Sequence, residues 1–541
     1  MKLTILTLLV SVVVISFLSA QTPLPLRHEI VGSQLFGSIG QKLGRVPDIN
    51  GDGADELIVS ATPLGKVFVY SGADATLLLT LSTSGVFDNF GTSVCGISDV
   101  NTDGVPDLVV GAPGDDTAGI DAGRVDVLSG ADGTLIFSAF GDFSEDFFGT
   151  SVASIEDLNN DSTADFLVGA PGSFSSGFVR AHSGADGSTI STFFGPNPGS
   201  GMGWRVAAID DIDGDGLQEV ASVAIHAANT LGDLQAGRLF VIAGSGLALL
   251  LDVAGLAAND HFGFELSALK DVNGDDKGDL LVSAPNDARG GPDAGSAQII
   301  SGADGTVLSD MIGQQPFALF GSAVADAGDV NGDGITDVVI GAKFHDGFVA
   351  DSGLVSVRNG ADGTVIEDFS DFESSTLLGA SLVGLGDVDG DGFDDFAMGK
   401  PNANGPSFLV GIVRVISVGG TRKYGAVNAP AASRGLSWIC GPFGDRTSGS
   451  IVLDGASPFD IGVVAASFAP ADMNFSGLPI LINTAPTLLA VEYQFLYALD
   501  GTATFATSIK NPFLTGIRAY VQGFDAQFPY GATNGIEIRH F

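Results

Sequence analysis

The sequence is poor in cysteine and in basic residues. Two cysteines in 541 residues exclude a disulfide framework. Cys95 stands in an apolar segment, which predicts a buried thiol rather than a bridge to Cys440. The 23 Lys and Arg residues are outnumbered by 64 Asp and Glu residues, and the formal net charge is −41. A surface of that sign disfavours nucleic acids and anionic membranes as partners.

Long apolar segments are also lacking, with one exception at the N terminus. Residues 3–18 are mostly apolar, Lys2 precedes them, and the small residues Ser19 and Ala20 follow. This arrangement predicts a secretory signal peptide over residues 1–20, cleaved near Ala20, and a membrane anchor is the alternative. Since no other stretch has about 18 apolar residues, we expect a mature protein that is secreted or held at the cell surface.

A nine-residue acidic stretch, clearest at residues 329–337, organises the rest of the sequence. Oxygen-bearing side chains stand at its first, third, fifth and ninth positions, and Gly334 at the sixth position permits a sharp turn. Alternate carboxylates and amides on a tight loop converge on one point, where a hard cation such as Ca²⁺ relieves their repulsion. The β-branched run Val338-Val339-Ile340 follows, so the loop joins two strands and is not an EF-hand.

The acidic stretch occurs seven times, at intervals of 51 to 60 residues. A repeat of that period predicts a propeller or a solenoid. Each loop is predicted to bind calcium through its first, third, fifth and ninth side chains and its seventh backbone carbonyl. In chain order, the predicted ligands are Asp48, Asn50, Asp52, Ala54 and Glu56; Asp99, Asn101, Asp103, Val105 and Asp107; Asp157, Asn159, Asp161, Thr163 and Asp165; Asp211, Asp213, Asp215, Leu217 and Glu219; Asp271, Asn273, Asp275, Lys277 and Asp279; Asp329, Asn331, Asp333, Ile335 and Asp337; and Asp387, Asp389, Asp391, Phe393 and Asp395.

The seven loops differ in their ligand sets. Loops two, six and seven have the complete pattern and are expected to bind best. Loops one and four end in glutamate, loop three has Ser162 in place of the glycine, and loop five has Asp276 there. The alternative is that these are plain turns, because Asp, Asn and Gly also form turns without metal. We expect up to seven calcium ions in a structural role, since a loop between two strands of a rigid sheet has little room to move.

Other short motifs recur in phase with the acidic loops. A Phe-Gly pair precedes most loops, a Gly-Ala-Pro triplet or a relative follows the next strand, and a Ser-Gly-Ala-Asp-Gly-Thr turn follows the third strand. Asp-Gly at such a turn indicates a hairpin. The Phe-Gly pairs are at 36–37, 90–91, 148–149, 262–263 and 320–321; Gly-Ala-Pro or its relative is at 111–113, 169–171 and 283–285; the turn is at 129–134 and 301–306.

These motifs resemble the FG-GAP repeats that form the seven-bladed β-propeller of integrin α subunits. The resemblance covers residues 25–420 and implies four-stranded blades. The seventh unit has a third strand over residues 408–418 but no fourth strand, whereas residues 27–34 occupy a fourth-strand position at the N terminus. We therefore predict that the N-terminal strand completes the last blade and closes the ring.

The repeats stop near Tyr424, and a second domain is predicted over residues 424–541. Short alternating and apolar runs are separated there by Asp-Gly and Asn-Gly turns, which favours a small β-sandwich or jelly roll. Surface attachment, export sorting and carbohydrate contact all remain open as its role.

The loops after Gly-Ala-Pro vary in length and composition, at residues 114–122, 225–235, 286–295 and 344–352. Variable loops on a rigid scaffold are where function concentrates. The integrin-like resemblance implies that this face, opposite the calcium hairpins, meets an extracellular protein or glycan. The candidate contact residues are Asp115, Asp116, Asp121, His226, Arg289, Asp293, His345 and Asp346.

Catalysis has little support in the sequence. The six histidines are scattered, and neither a His-x-x-x-His pair nor a Gly-x-Ser-x-Gly elbow is present. We therefore predict a binding or adhesion module that is not an enzyme. The alternatives are a secreted hydrolase or lyase acting on polysaccharide or lipid, and a structural component of the cell surface or matrix.

Overall fold

The computed structural model describes residues 26–417, apart from residues 84, 86, 174, 247, 348 and 406–408, and the backbone of six short strands between residues 436 and 526. The chain divides into two units, Pro25–Thr421 and the combination of Met1–Leu24 with Arg422–Phe541. The predicted signal peptide over residues 1–20 lies outside the described residues. The limits of the predicted domains remain predictions.

The first unit is built from seven four-stranded antiparallel sheets, numbered here as blades 1 to 7. Blades 1 to 3 consist of β2 (Leu43–Val46), β3 (Glu56–Ala61), β4 (Lys66–Tyr70) and β5 (Leu77–Ser82); β6 (Ser93–Ile97), β7 (Asp107–Ala112), β8 (Arg124–Leu128) and β9 (Leu135–Phe140); and β10 (Ser151–Ile155), β11 (Asp165–Ala170), β12 (Phe178–His182) and β13 (Thr189–Phe194). Blades 4 and 5 consist of β14 (Met202–Ile209), β15 (Glu219–Ala224), β16 (Arg238–Ile242) and β17 (Leu249–Ala254); and β18 (Leu266–Leu269), β19 (Asp279–Ala284), β20 (Ser296–Ile300) and β21 (Val307–Ile312). Blades 6 and 7 consist of β22 (Phe320–Gly328), β23 (Asp337–Ala342), β24 (Leu354–Arg358) and β25 (Val365–Ser370); and β26 (Leu382–Gly386), β27 (Asp395–Lys400), β28 (Ile412–Ser417) and β1 (Leu26–Val31).

The seven sheets form a closed ring, as predicted. The first strand of each blade contacts the first strand of the next, and β26 of blade 7 also contacts β2 of blade 1. These first strands line a central channel. A single helical turn, Thr62–Leu64, interrupts the strands, and among the described residues no helix has the length and apolar content needed to cross a membrane.

The N-terminal strand completes the last blade, which confirms the predicted closure. β1 pairs with β28 in antiparallel register, with Ile30 opposite Val413 and Val31 opposite Ile412. Ile30 is buried in a cluster with Val413 and Val415. The strand thus covers an edge that β28 would otherwise expose, and it joins the two ends of the propeller.

The core lies mainly between neighbouring blades. All second strands are buried along their whole length, which fits their continuous apolar sequence. Phe148, at the start of blade 3, packs with Val125 and Val127 of blade 2, and Phe320, at the start of blade 6, packs with Ile299 of blade 5. The Phe-Gly phenylalanines are therefore contacts between blades, as their sequence position predicts.

The Phe-Gly pair at residues 36–37 does not form such a contact between blades. Phe36 is 55% exposed, whereas Ile39 is buried in the cluster between blades 7 and 1. Gly40 has φ +83° and its amide donates to the carbonyl of Ser60, the same arrangement as Gly91 with the carbonyl of Gly111. The structural counterpart of Phe-Gly in blade 1 is therefore Ile39-Gly40. Either isoleucine or phenylalanine can fill this pocket between blades, whereas the next position is glycine in both blades.

The six short strands of the second unit form three antiparallel pairs. These are β29 (Leu436–Ile439) with β30 (Ser450–Leu453), β31 (Ile461–Val463) with β34 (Phe524–Ala526), and β32 (Pro479–Thr484) with β33 (Thr487–Glu492). The predicted sandwich or jelly roll otherwise lies outside the described residues and stays a prediction.

Candidate functional site

The seven acidic stretches all lie on the hairpins that join the first and second strands of the blades, and the ninth-position carboxylates begin the second strands. The first aspartate organises each turn. In blade 6, Asp329 Oδ1 accepts hydrogen bonds from the amides of Gly332 (2.6 Å) and Asp333 (3.1 Å), and its Oδ2 accepts one from Gly334 (2.8 Å). Gly334 has φ +85°, which a side chain would strain. The loop is thus folded around one carboxylate.

The ninth-position carboxylates are fully buried, and in four blades both of their oxygens are paired with the chain itself. In blade 2, Asp107 accepts from the amides of Val100 (2.8 Å) and Gly130 (3.0 Å). Gly130 belongs to the turn between the third and fourth strands, so the carboxylate joins the two hairpins at this end of the blade. The equivalent residues of blades 3, 5 and 6 are Asp165, Asp279 and Asp337, which are bonded in the same way.

Blades 1, 4 and 7 differ, because there a ninth-position oxygen has no partner. The buried atoms Glu56 Oε1, Glu219 Oε2 and Asp395 Oδ1 accept no hydrogen bond. A buried carboxylate oxygen without a donor is costly, and it indicates that a proton or a cation belongs at that point. Burial raises the pKa of Glu56 and of Glu219 to about 7, and that of Asp395 to about 6.

The same three blades bring their carboxylates together. One ligand oxygen from each residue lies within 4.8 Å of the others in three groups: Asp48, Asp52 and Glu56; Asp211, Asp215 and Glu219; and Asp387, Asp389 and Asp395. Two independent observations, the unpaired oxygens and the convergence, thus fit a hard cation at these hairpins. The glutamates of loops one and four belong to the best-formed groups, although the sequence ranks loops two, six and seven first.

Loops two and six owe their different geometry to an asparagine. Asn331 Nδ2 lies 3.0 Å and 2.9 Å from the two oxygens of Asp337, and Asn101 Nδ2 lies 3.4 Å from Asp107. The amide thus donates to the ninth-position carboxylate, whereas in loops one, four and seven an oxygen of that carboxylate is unpaired. In loop seven a competing charge is present, since the guanidinium of Arg27 lies 2.8 Å from Asp389.

A further set of residues, which the sequence analysis did not assign to the hairpins, orients the fifth-position carboxylates. Ser71 Oγ donates to Asp52 (2.9 Å), and Ser183 Oγ donates to Asp161 (2.9 Å). Asn359 does the same for Asp333 in blade 6 (2.7 Å). These residues open the turn between the third and fourth strands. A serine, or asparagine in blade 6, recurs at the start of this turn in blades 1, 2, 3, 5 and 6, and that recurrence was the available signal.

On the opposite face, several of the predicted contact residues bind other parts of the protein. Asp115 is buried and lies 2.5 Å from Arg124, and Arg289 lies 2.6 Å from Asp287 and 2.5 Å from Asp310. These ion pairs hold the loops in shape. Three other predicted carboxylates of this face also have local partners: Asp116 accepts from the Asp121 amide, Asp293 from Asn286, and Asp346 from the Asp351 amide.

The predicted histidines of this face are placed differently. His226 is exposed, and its ring centroid lies 5.9 Å from that of His261 and 6.4 Å from that of Trp204. His345 is half-buried, and its Nδ1 has no partner. Burial lowers the pKa of both His226 and His345. Neither of these two histidines is hydrogen-bonded to a carboxylate among the described residues, whereas Lys400 at this face forms a buried ion pair with Asp371.

The loops of this face carry the most exposed apolar side chains of the described residues. Every large apolar side chain with more than 60% exposure lies on these loops or, for Phe194, at the adjoining end of a fourth strand. These residues are Phe87, Ile120, Phe143, Phe194, Leu231, Leu234, Phe317 and Phe372, and they are called the apolar crown below. No large apolar residue of the acidic hairpins is exposed. At the acidic end the most exposed apolar side chains are those that begin fourth strands, and they are less exposed than the crown: Leu77, Leu135, Leu249, Val307 and Val365, at 48–57%.

Comparison with known proteins identifies the repeats. The FG-GAP repeat model matches residues 90–128, 148–189, 262–300, 320–357 and 379–411, which belong to blades 2, 3, 5, 6 and 7. Blades 1 and 4, where Ile39-Gly40 and Met202-Gly203 replace Phe-Gly, are outside these matches.

The chain is similar to integrin alpha-V of Gallus gallus, with 30% identity over 216 residues, and to integrin alpha-PS3 of Drosophila melanogaster, with 32% identity over 184 residues. These alignments cover 37% and 29% of the chain but 20% and 16% of the relatives, so the chain matches about a fifth of their length or less. A crystal structure of BBS1N in complex with ARL6DN, soaked with lead, aligns with 74% of the chain and 99% of its own at 12% identity and a TM-score of 0.46. The chain is thus a seven-bladed β-propeller with five recognised FG-GAP repeats, homologous over part of its length to integrin alpha chains.

Proposed function

We propose that the protein is an extracellular, non-enzymatic binding or adhesion module that uses the face opposite the acidic hairpins to hold a protein or glycan. The apolar crown is the observation that carries this proposal. Large aromatic and aliphatic side chains concentrated at one end of a protein and exposed there often mark a surface that a partner covers. The homology to integrin alpha chains supports an extracellular setting, and the predicted signal peptide supports export.

The placement of the crown favours a specific interface over general stickiness. Phe87, Phe143, Phe317 and Phe372 lie on loops that lead from the fourth strand of one blade to the first strand of the next, at blades 2, 3, 6 and 7. Ile120 and Leu231 lie on the loops between second and third strands. Ion pairs such as Arg124 with Asp115 fix these loops, so little ordering entropy opposes binding. Aromatic anchors on a rigid surface are typical of binding hot spots.

The test is a binding screen of glycans and extracellular proteins, followed by variants of the crown. Any ligand found should bind at least about tenfold more weakly to Phe143→Ser and Phe317→Ser, because each removes a buried aromatic contact. Leu135→Ser and Val365→Ser are matched controls, since both residues are exposed apolar positions on fourth strands at the opposite end of their blades. Equal losses in both pairs, or in neither, would contradict the proposed face.

We further propose that calcium occupies the acidic hairpins and stabilises them. The unpaired buried oxygens at Glu56, Glu219 and Asp395 support this, and so does the convergence of carboxylates in blades 1, 4 and 7. Oxygen-only donor sets of this kind suit Ca²⁺ rather than softer metals. In the proposal, loops one, four and seven bind first, and the remaining loops depend on rotation of their asparagine or on a weaker donor set.

Removal of calcium tests this second proposal. Dialysis against EDTA should lower the melting temperature by several degrees, because a ligand that binds only the folded state stabilises it. Titration of the metal-free protein with Ca²⁺ by calorimetry should show at least three sites, and Mg²⁺ should bind more weakly. An unchanged melting curve in EDTA would exclude structural calcium.

A further inference from the structure

One position of the blade repeat carries unusual residues at the mouth of the central channel. It is the second residue after the glycine that recurs in each blade at or shortly before the start of the first strand. In blades 2, 3 and 7 this position is a serine whose hydroxyl bonds the next blade: Ser93 donates to Gly149 (2.8 Å), Ser151 to Gly203 (2.9 Å) and Ser381 to Gly40 (2.6 Å). In blades 1, 4 and 5 the position is occupied by Lys42, Arg205 and Glu265. Blades 1, 4 and 5 thus have a charged side chain where blades 2, 3 and 7 have a serine that hydrogen-bonds the next blade.

The three charged side chains meet one another inside the ring. Lys42 Nζ lies 2.8 Å from Glu265 Oε1, although blades 1 and 5 are not neighbours. Arg205 Nε and Nη2 each lie 2.7 Å from an oxygen of Glu265. The Arg205 and Glu265 side chains are largely buried, and that of Lys42 is one-third exposed. Burial opposes the charge of Glu265, but Arg205 and Lys42 outweigh it and lower its pKa to about 2. Glu265 is therefore an anion held among cations.

A fourth charge leaves this group with an excess of cations. Lys343, which stands where blades 2 and 3 have the proline of Gly-Ala-Pro, is half-buried and interacts electrostatically with both Glu265 and Lys42. Burial lowers the pKa of Lys42, and the neighbouring Arg205 and Lys343 lower it further. Three cations therefore share one carboxylate. The protein has only 23 basic residues against 64 acidic ones, so this concentration is not a general property of its surface.

Lys42 and Arg205 border a cavity large enough for a ligand. The channel has a volume of about 660 Å³ and is lined by the first strands, with Lys42, Arg205 and Glu265 among its walls. Such a volume is within the range of small-molecule sites. Most of the other lining residues are small, such as Ser151, Ala207 and Ala323, so the space is open rather than filled by side chains. The ammonium groups of Lys42 and Lys343 retain donors that the hydrogen bonds described above do not use.

We propose that the mouth of the channel is a binding site for a small anion, with Lys42 contacting a carboxylate or a sulfate-type oxyanion of a ligand up to the size of a sugar acid and Lys343 adding positive charge nearby. Glu265 holds Lys42 and Arg205 in place and limits the affinity, because its carboxylate competes with the ligand for the same cations. This inference does not depend on what the apolar crown binds. The alternative is that the ion pairs serve only to hold blades 1, 4 and 5 together.

The test measures anion binding to the full chain by calorimetry and by thermal melting at constant ionic strength. Sodium glucuronate and sodium sulfate are the probes, and glucose and sodium chloride are the references. We expect saturable binding of a probe, weakened about tenfold or more by Lys42→Met, since it removes a charge-assisted contact, and weakened less by Lys343→Met, which removes only a nearby charge. Lys66→Met is the matched control, because Lys66 lies on the third strand of blade 1, away from the channel lining. Binding of glucuronate alone identifies a sugar acid as the ligand class, whereas binding of both probes identifies a general oxyanion site.

The Glu265→Gln variant separates the two explanations. Removing the competing carboxylate should strengthen anion binding about tenfold, and added glucuronate or sulfate should restore the thermal stability that the substitution costs. If the ion pairs only join the blades, this variant is destabilised and no anion restores it. The proposal is overturned if the wild-type protein shows no saturable binding of either probe, or if Lys66→Met weakens binding as much as Lys42→Met does.

Discussion

Glycine at the contact between neighbouring blades sets how closely the blades approach. A Cβ atom added to Gly111 of blade 2 would lie 2.1 Å from the carbonyl oxygen of Gly149 in blade 3, and one added to Gly169 would lie 2.0 Å from the oxygen of Gly203. The obstructing atoms belong to the backbone, so no side-chain rotation relieves the contact. The first residue of Gly-Ala-Pro therefore has to be glycine, because the backbone of the next blade, at the glycine of its Phe-Gly or Met-Gly pair, leaves no space for a Cβ atom.

Gly111→Ala should destabilise the propeller by about 1–3 kcal/mol, because the extra methyl group forces two blades apart. Chemical unfolding in urea, with calcium present, measures the change. Gly246→Ala is the control: nothing lies within 4 Å of the added Cβ, and its backbone needs no glycine, so a change under about 0.5 kcal/mol is expected there. Equal effects at both sites would mean that the contact between blades is looser than the distances indicate.

The predicted ligand positions and the predicted ranking of the loops both stay predictions, but the structure favours a different order. Loops two and six have the full complement of Asp and Asn, so composition alone places them first. In the structure, Asn331 turns its amide nitrogen to Asp337, whereas Glu56 and Glu219 keep an unpaired oxygen. The orientation of the asparagine side chain depends on tertiary contacts, and so do the backbone amides that a distant turn donates to the carboxylate. The sequence pattern of the loop contains neither.

The hairpin pair at the acidic end of each blade is the element in which the ninth-position carboxylate acts. In blade 2 it serves as a link, since Asp107 accepts amides from both the first-to-second and the third-to-fourth connections. In blade 4, the amides of Ile212 and Asp213 both donate to Glu219 Oε1, so Oε2 has no donor and a cation is expected to supply the missing contact. The ninth-position carboxylate thus links two hairpins in blade 2, and we expect it to bind a cation in blade 4. Measurements with and without calcium distinguish these two roles.

Glu219→Gln should reduce the gain in melting temperature that calcium provides and have a smaller effect in EDTA. Asp107→Asn should lower the melting temperature by similar amounts with and without calcium, because it breaks a hydrogen-bonded link of about 1–3 kcal/mol that is independent of metal. Differential scanning calorimetry of both variants in CaCl₂ and in EDTA makes the comparison. The reverse pattern would show that loop two, and not loop four, holds the cation.

The first strand of the chain is the element that closes the ring, and here the sequence was sufficient. The missing fourth strand after residue 418 and the surplus strand near residue 27 both followed from the repeat pattern, and β1 pairs with β28 as expected. The Phe-Gly motif misled only in blade 1. There Phe36 stands on the loop, and Ile39 occupies the pocket. A motif of two residues cannot distinguish a buried position from an exposed one three residues away.

Ile30→Ala should cost about 2–4 kcal/mol, because Ile30 is buried between β1 and the core of blades 7 and 1. Leu26→Ala, on the same strand but 42% exposed, should cost less than about 1 kcal/mol. Urea unfolding measures both. If Ile30→Ala proved as mild as Leu26→Ala, β1 would not contribute to the stability of the closed ring.

At the scale of the whole molecule, the buried ninth-position carboxylates make the stability of the protein depend on both pH and metal. Without metal, burial raises the pKa of Glu56, Glu219 and Asp337 to about 7, well above the values near 4 expected in the unfolded chain. A carboxyl group with a raised pKa binds its proton more tightly in the folded state. Its contribution favours folding below pH 4 and is lost as the pH rises through 7.

The double variant Glu56→Gln/Glu219→Gln should therefore remove part of the pH dependence in EDTA. The wild-type protein should gain melting temperature relative to this variant as the pH falls from 8 to 5.5, because the variant has lost two groups that take up protons on folding. Comparison with the variant is needed because of His182, whose pKa burial lowers to about 4. This histidine makes both proteins less stable as the pH falls, and the comparison cancels its effect.

Saturating calcium should reverse this trend, because protons and Ca²⁺ compete for the same oxygens. The gain in wild-type melting temperature on adding calcium should therefore be largest at pH 8 and shrink toward pH 5.5. Calorimetric scans at four pH values, with and without calcium, provide both curves. A calcium-dependent gain that is constant across this range would mean that the metal does not bind at the buried carboxylates, and that it acts instead by screening the net charge of −41.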